Sequence, residues 1–134
     1  MVLTLPALKQ HARLHILPSH QRYITIDRFT LESGETLYDA TVAFTLMGLL
    51  NAARDNAIII CHALSGSADV GDWWASLLTQ ENPALDPAKW CIICCNSLGS
   101  PYGSASPLTY RKTGKGERLF GPEFPKTTIR DDVR

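Results

Sequence analysis

The stretch from Asn56 to Trp74 reads Asn-Ala-Ile-Ile-Ile-Cys-His-Ala-Leu-Ser-Gly-Ser-Ala-Asp-Val-Gly-Asp-Trp-Trp and decides the fold of this chain. Its apolar run, Ala57 to Cys61, is short and rich in Ile, which is typical of a strand buried on both faces of a parallel sheet. The run breaks into a small, polar, glycine-containing loop, residues 62–67. Ligands of open α/β sheets bind just beyond the carboxyl ends of such strands. The sequence therefore predicts an α/β fold with a candidate binding loop here.

The segments around this stretch predict a hairpin, followed by a crossover between two strands. Residues 23–31 alternate in polarity, and the turn 32–35 joins them to a second extended run, 37–46, as in a β-hairpin. Asp69 to Leu78 is predicted as a helix, and Trp90 to Cys95 as a second all-apolar strand. Because a crossover helix joins the two apolar strands, we expect them to pair in parallel.

Composition excludes several classes of protein. The chain has 134 residues, is 45% hydrophobic and carries a formal net charge of +0, which suits one globular domain or part of one. Without a basic stripe we expect no nucleic-acid partner, and without a long apolar stretch no membrane span. The spacing of the four cysteines is not that of a disulfide-stapled secreted domain. We therefore expect reduced thiols and a cytoplasmic location.

The first 22 residues are predicted to be a flexible leader. No Asp or Glu occurs before position 27, whereas Lys9, Arg13 and Arg22 are basic. An organelle transit peptide is the alternative, but this segment has one serine and a weak amphipathic pattern.

The cysteines and the first histidine after the buried strand suggest chemistry, each with a structural alternative. Cys91 and Cys94 have the spacing of a metal or redox motif. On a strand they would point to opposite faces, so we expect no zinc site and interpret Cys91, Cys94 and Cys95 as small buried hydrophobes. His62 is a candidate base or ligand, yet no partner lies at ligand spacing, which favours a structural histidine.

Charged residues also allow two interpretations. Asp69 and Asp72 are a candidate catalytic pair, but they begin the predicted helix, where carboxylates cap and stabilise the first turn. The basic loop from Arg111 to Arg118 is a candidate site for a phosphate-bearing cofactor, although solvated loop charges are commoner. It lies in residues 96–127, a long stretch rich in Gly, Pro, Ser and Thr for which no regular structure is predicted.

The end of the chain is predicted to start a helix. Thr127 and Thr128 are candidate N-cap residues, with Asp131 and Asp132 in the first turn. Arg134 then ends the chain, after fewer residues than the roughly 12–15 that an isolated helix needs. We expect this pattern to reflect truncation of a longer protein.

Several long blocks, found in order, make the chain resemble the homoserine O-acetyltransferases, and fungal members in particular. The likeness runs from about Phe29 to the last residue. The blocks are Leu50 to Asn56, Cys61 to Asp69, Asp72 to Trp74, Asn96 to Pro107, Gly121 to Pro125 and Thr127 to Arg134.

This resemblance implies a partial α/β-hydrolase fold over residues 23–134, truncated before the nucleophile elbow. The family transfers an acetyl group from acetyl-CoA, its co-substrate, to L-homoserine in methionine biosynthesis, through a Ser-Asp-His triad. By this resemblance the triad is absent here, so the chain alone is expected to be inactive. The strand Trp90 to Cys95 is expected to neighbour the missing elbow. No bound cofactor and no metal are expected, and a homodimer is a further expectation.

Leu64 is the one residue assigned a catalytic role. An amide after an early buried strand is one of the two oxyanion donors in α/β-hydrolases, and Leu64 follows such a strand and matches that position in the family. A plain strand-to-helix turn is the structural alternative. No Gly-x-Ser-x-Gly elbow occurs in the chain. Ser65 stands where the family usually has Thr, and residues 110–119 depart from the family pattern. A non-catalytic remnant that acts as a binding or interaction module is the alternative function.

Overall fold

The computed structural model describes residues 20–81 and 83–134. In this part of the chain the strands are β1 (Arg22–Thr30), β2 (Thr36–Met47), β3 (Ala57–Ile60), β4 (Cys91–Cys95), β5 (Tyr110–Thr113) and β6 (Gly116–Leu119). The helices are α1 (Val70–Trp73), α2 (Ala75–Thr79) and α3 (Ile129–Asp132), with a 3-10 turn at Gly121–Glu123. One sheet has the strand order β1-β2-β4-β3, and β5 and β6 form a second. The predicted leader, residues 1–22, lies almost wholly outside the described residues, and the proposed division at residue 22 stays a prediction.

The described residues fall into two compact units. The first contains Tyr23–Ala43 and Asn96–Arg134, and the second contains residues 20–22 together with Phe44–Cys95.

In the first unit, the predicted hairpin is confirmed. β1 and β2 are hydrogen-bonded neighbours, and the Leu31 amide donates to the Glu35 carbonyl at 2.8 Å to close the turn between them. Gly34 adopts a φ of 87°, a left-handed conformation that glycine reaches without steric cost. Leu31 and Leu37, on either side of the turn, are buried in one apolar cluster with Ala40 and Ala105.

In the second unit, β4 pairs in parallel with β3, as predicted. Ile58 lies opposite Ile92 and Ile60 opposite Cys94, whereas β4 pairs antiparallel with the second half of β2. One face of these strands carries the apolar core of the unit. The buried members of that core are Ile60, Ala68, Val70, Leu78, Ile92 and Cys94.

Two expectations about the apolar strands were wrong. β4 lies between β2 and β3, so both of its edges are paired and it is not the strand left without a neighbour. β3 is the end strand of this order, and it is buried on one face only, because Ile59 is 70% exposed while Ile60 is buried. An apolar run alone does not distinguish a strand covered on both faces from one covered on a single face.

The predicted helix Asp69 to Leu78 is in fact two short helices. α1 ends at Trp73 and α2 begins at Ala75, with Trp74 at φ −127° and ψ 30°, outside the helical region. Leu78 on α2 still reaches the core of the unit, and the Leu85 amide donates to the Leu77 carbonyl at 2.9 Å. Val70 and Leu78, near the two ends of the segment, therefore both lie in the core, although the helix is broken.

Gly48 is the tightest point after β2. It has a φ of 74°, and a Cβ placed there would overlap the Trp90 carbonyl and approach the Pro87 carbonyl oxygen to 2.5 Å. Only glycine fits this close approach of two backbone segments.

The region 96–127 is more regular than predicted. β5 and β6 pair antiparallel, with Arg111 opposite Arg118, so the predicted basic loop is a β-hairpin. Short strands with little apolar alternation do not stand out in a region rich in Gly, Ser and Thr.

Candidate functional site

The loop after β3 is a tight turn with Leu64 near its tip. β3 ends at Ile60, and the Gly66 amide donates a hydrogen bond to the Ala63 carbonyl at 2.8 Å. This bond closes a turn in which Leu64 is a central residue and its side chain is fully exposed. Within the part of the chain that the structure describes, the Leu64 amide donates to no protein acceptor. The backbone N–H is therefore a candidate hydrogen-bond donor for a ligand.

Two side-chain hydrogen bonds hold the C-terminal end of this loop. The Thr45 hydroxyl donates to the Ala68 carbonyl at 2.5 Å, and both residues are buried. The indole Nε1 of Trp73 donates to the Ser67 carbonyl at 3.1 Å. Because Ile60 and Ala68 are both core residues, the loop is fixed at its beginning and at its end, while its tip faces outward. This arrangement positions a backbone donor without relying on the side chain at the tip.

Three residues in or near this loop, His62, Asp69 and Asp72, were candidates for a catalytic role. The Nδ1 atom of His62 lies 2.8 Å from the Ala63 carbonyl oxygen, which agrees with a structural histidine. Asp69 occupies the N-cap position of α1, but its side chain makes no capping hydrogen bond, so that part of the capping prediction was wrong. Its carboxylate instead lies 3.3 Å from Nε2 of His20. Asp72 lies in the first turn of α1, as predicted.

The four cysteines divide into two kinds. All four are present as thiols, with Cys91 and Cys94 buried and Cys61 and Cys95 exposed. Burial raises the pKa of the Cys94 thiol to about 12, and the neighbouring Cys95 and Cys61 add to this effect. The interpretation as buried hydrophobes is therefore confirmed for Cys91 and Cys94 and wrong for Cys95.

The polar segment that follows β4 is built around a buried serine that sequence reasoning missed. The Ser104 hydroxyl donates to the Asn96 carbonyl at 2.5 Å and accepts from the Ala43 amide at 3.0 Å. The Asn96 side chain in turn donates to the Tyr102 carbonyl at 2.9 Å. Because Ser104 is fully buried and doubly bonded, it holds this loop and is not a nucleophile. Its small-residue surroundings, Gly103 and Ala105, were the only signal in the sequence.

Two of the four basic residues of the hairpin share an acidic neighbour. Arg111 and Arg118 both contact the carboxylate of Glu123, the latter at 2.6 Å. The Arg111 hydrogen bond, with help from Arg118, holds the pKa of Glu123 below its usual value. The Arg111 guanidinium also lies 5.0 Å from the ring centroid of Phe120. These contacts favour a structural role for the hairpin over the predicted alternative of a phosphate site.

The described residues contain neither a metal-binding cluster nor a membrane-spanning helix. Among residues 20–81 and 83–134, no group of three or more His, Cys, Asp or Glu side chains is arranged to hold a metal ion. In the same residues, every helix is too short or too polar to cross a bilayer.

The sequence is closely similar to known enzymes over most of its length, although no family model matches it. The homoserine O-acetyltransferase of Emericella nidulans is 56% identical over 114 residues, which cover 85% of this chain and 23% of that enzyme. The enzyme of the same name from Schizosaccharomyces pombe is 53% identical over 117 residues, covering 87% and 23% of the two chains. For Saccharomyces cerevisiae the identity is 48% over 132 residues, covering 98% and 26%. The chain thus spans about a quarter of the length of the curated relatives it matches.

Solved structures agree on the fold. An acetylester hydrolase from Corynebacterium glutamicum matches with a TM-score of 0.68 and 31% identity, covering 84% of this chain and 30% of that one. A homoserine O-acetyltransferase from Staphylococcus aureus matches with a TM-score of 0.62 and 26% identity, covering 84% and 32%. These neighbours are α/β-hydrolase-fold enzymes. Over most of its length, the chain is therefore homologous to the N-terminal part of the homoserine O-acetyltransferases and shares their α/β-hydrolase fold.

Proposed function

We propose that the chain supplies the N-terminal part of a homoserine O-acetyltransferase, which transfers an acetyl group from acetyl-CoA to L-homoserine in methionine biosynthesis. The 56% identity to the Emericella nidulans enzyme over 114 residues carries this proposal. Acetyl-CoA is the co-substrate, and no bound cofactor is part of the proposal. The proposed location is the cytoplasm, and a homodimer is the proposed assembly.

Within this enzyme, the loop after β3 contributes one oxyanion donor. The Leu64 amide donates to the acetyl carbonyl oxygen as that oxygen gains negative charge during acyl transfer. Support comes from its position at the tip of a turn, its lack of a protein acceptor among the described residues, and the anchoring of the loop by Thr45. A donor held in advance needs no reorganisation when the charge develops, which is how oxyanion sites lower the barrier.

The chemistry of attack is assigned to other parts of the enzyme. An acyl transfer of this kind needs a nucleophile, a base and a second amide that follows the nucleophile. Ser104 is excluded from the nucleophile's role, because it is buried and its hydroxyl is held by Asn96 and Ala43. In this proposal the chain positions one oxyanion donor and forms one side of the sheet.

A chimera tests the proposal directly. This chain replaces the matching N-terminal segment of the Emericella nidulans enzyme, and homoserine-dependent release of CoA from acetyl-CoA is measured. Because the two segments are 56% identical, we expect a folded chimera that retains turnover.

The unmodified Emericella nidulans enzyme serves as the reference for turnover, melting temperature and oligomeric state. A chimera that melts like the reference but releases no CoA above a homoserine-free blank would contradict the proposal. That outcome would favour the non-catalytic binding module instead.

A further inference from the structure

Two exposed cysteines lie at the carboxyl ends of the two parallel strands, Cys61 directly after β3 and Cys95 as the last residue of β4. In the register of β3 and β4, Ile59 lies opposite Ile93 and Ile60 opposite Cys94. The next residue of the chain is Cys61 after β3 and Cys95, the last residue of β4. The two thiol-bearing residues therefore directly follow the last pair of the parallel ladder.

Side-chain alternation, continued one residue past β3, puts both cysteines on the same face of the sheet. Ile60 and Cys94 belong to the buried core, and side chains alternate along a strand, so Cys61 and Cys95 point to the opposite face. Ile59 shares that face and is 70% exposed. Both cysteines are themselves exposed. A soluble oxidant can therefore reach the pair.

The spacing of neighbouring strands suits a disulfide. Paired strands lie about 4.7–4.9 Å apart. A disulfide usually joins residues whose Cα atoms are about 4.4–6.8 Å apart. The spacing of the ladder at Ile60 and Cys94, one residue before the two cysteines, therefore falls within the Cα range of a disulfide.

The other two cysteines do not compete for this reaction. Cys94 points into the core, and its raised pKa keeps it a protonated, unreactive thiol. Cys91 is buried and lies four residues from Cys95 along the strand, about 13 Å away at the usual rise.

We propose that Cys61 and Cys95 form a redox-sensitive dithiol, which closes to an intramolecular disulfide when it meets a low-molecular-weight disulfide such as oxidised glutathione. One protein thiolate attacks a sulfur of glutathione disulfide, forms a mixed disulfide and releases one glutathione thiolate. The second protein thiol loses its proton and attacks the protein sulfur of that mixed disulfide, which releases the second glutathione. Two protein thiols are oxidised and one glutathione disulfide is reduced to two thiols.

This bond has a structural consequence for the loop 62–67. Cys61 immediately precedes the loop, and Leu64 lies three residues further along. A bridge to β4 restricts the start of the loop in addition to the anchor that Thr45 provides at its end. The inference concerns the thiols themselves and does not depend on the proposed acetyltransferase function.

The test uses the 134-residue chain, reduced and then incubated with increasing ratios of oxidised to reduced glutathione. Free thiols are blocked after quenching, and mass spectrometry follows trypsin digestion without reduction. We expect a disulfide between the peptide 55–89, which holds Cys61, and the peptide 90–111, which holds Cys95. Cys61→Ser and Cys95→Ser should each abolish this species, whereas Cys91→Ala should retain it.

The dependence on protein concentration distinguishes a disulfide within one molecule from a disulfide between two molecules. We expect the fraction of linked peptide to be the same at every protein concentration, and the oxidised chain to run as a monomer on a non-reducing gel. Stable glutathione adducts on both cysteines without closure, a bond that survives Cys95→Ser, or disulfide-linked dimers would each overturn the proposal.

Discussion

The Asp131 carboxylate accepts a hydrogen bond from the backbone amide of Glu32, 99 residues earlier in the chain, at 2.7 Å. The same side chain accepts from the Thr128 amide at 2.9 Å, while the Thr128 hydroxyl accepts from the Asp131 amide, which completes a capping box at the start of α3. Arg130 adds an ion pair to Glu32 at 3.0 Å. One buried carboxylate thus caps a helix and fastens it to the turn between β1 and β2.

Protonation of Asp131 should weaken the chain at acid pH. Burial opposes ionisation of this carboxyl, but hydrogen bonds from the Thr128 and Glu32 amides outweigh it and lower the pKa of Asp131. A lowered folded-state pKa means that the stabilisation is complete above the unfolded value, about 3.9 for Asp, and is lost as the pH falls through the folded value. We expect Asp131→Asn to unfold at a lower urea concentration than the unsubstituted chain at pH 7. Below about pH 4 this difference in urea midpoint should become smaller, because Asp131 of the unsubstituted chain is then losing its charge.

Urea titrations of the chain and of Asp131→Asn from neutral to acid pH make this measurement. Asp132→Asn is the matched control, because Asp132 is exposed and its carboxylate accepts from the Leu98 amide at 2.8 Å. A deficit that stays constant across the pH range would contradict the role assigned to the Asp131 charge.

Gly48→Ala should destabilise the second unit strongly. The new Cβ would overlap the Trp90 carbonyl, and alanine is also strained at a φ of 74°. We expect a loss of more than about 2 kcal/mol in the free energy of unfolding. Gly34→Ala is the control, since its φ is 87° but nothing lies within 4 Å of the added Cβ, and it should cost about 1–2 kcal/mol. Equal losses in chemical denaturation would show that the close approach at Gly48 is unimportant.

Leu64 should act through its backbone and not its side chain. In the chimera, Leu64→Ala keeps the N–H and should leave turnover nearly unchanged, because the side chain is exposed. Leu64→Pro removes the N–H and should lower kcat about 100- to 1,000-fold. Melting temperatures of both variants control for distortion of the loop. A folded Leu64→Pro chimera with normal turnover would show that this loop is a plain turn that supplies no oxyanion donor.

The 134-residue chain alone should lack homoserine O-acetyltransferase activity. In the proposed function it supplies one oxyanion donor while the nucleophile and base come from other parts of the enzyme, and loss of triad members costs orders of magnitude in rate. CoA release from acetyl-CoA is measured with and without L-homoserine, using the purified chain at high concentration. Homoserine-dependent release well above the blank would show that a nucleophile has been overlooked.

The apolar end strand β3 should make the chain self-associate. Ile59 is 70% exposed on the end strand of the described sheet, and apolar strand edges template pairing with other molecules. We expect Ile59→Lys to shift sedimentation profiles toward monomer, because a charge on such a strand blocks edge pairing. Val133→Lys, a similarly exposed apolar position on a different element, is the control. A chain that is monomeric without the substitution would contradict this expectation.

Local sequence patterns predicted the structural elements that depend on a few adjacent residues. The turn at Gly34 and the cap at Thr128 were predictable, because both depend on a few adjacent residues with distinct backbone preferences. The parallel pairing of β3 and β4 followed from two apolar runs joined by a crossover. The place of Leu64 in a turn after β3 also followed from the sequence, and its role as an oxyanion donor stays a prediction.

Tertiary structure alone decided which residues meet across long separations. Nothing near Asp131 indicates Glu32 as its partner, and nothing near Ser104 indicates the Ala43 amide. The break at Trp74 and the pairing of Ile60 with Cys94 are of the same kind, because packing and strand register place them. Sequence determines which segments favour helix, strand or turn, whereas burial and hydrogen bonding between distant segments select their partners, and that selection depends on the folded chain as a whole.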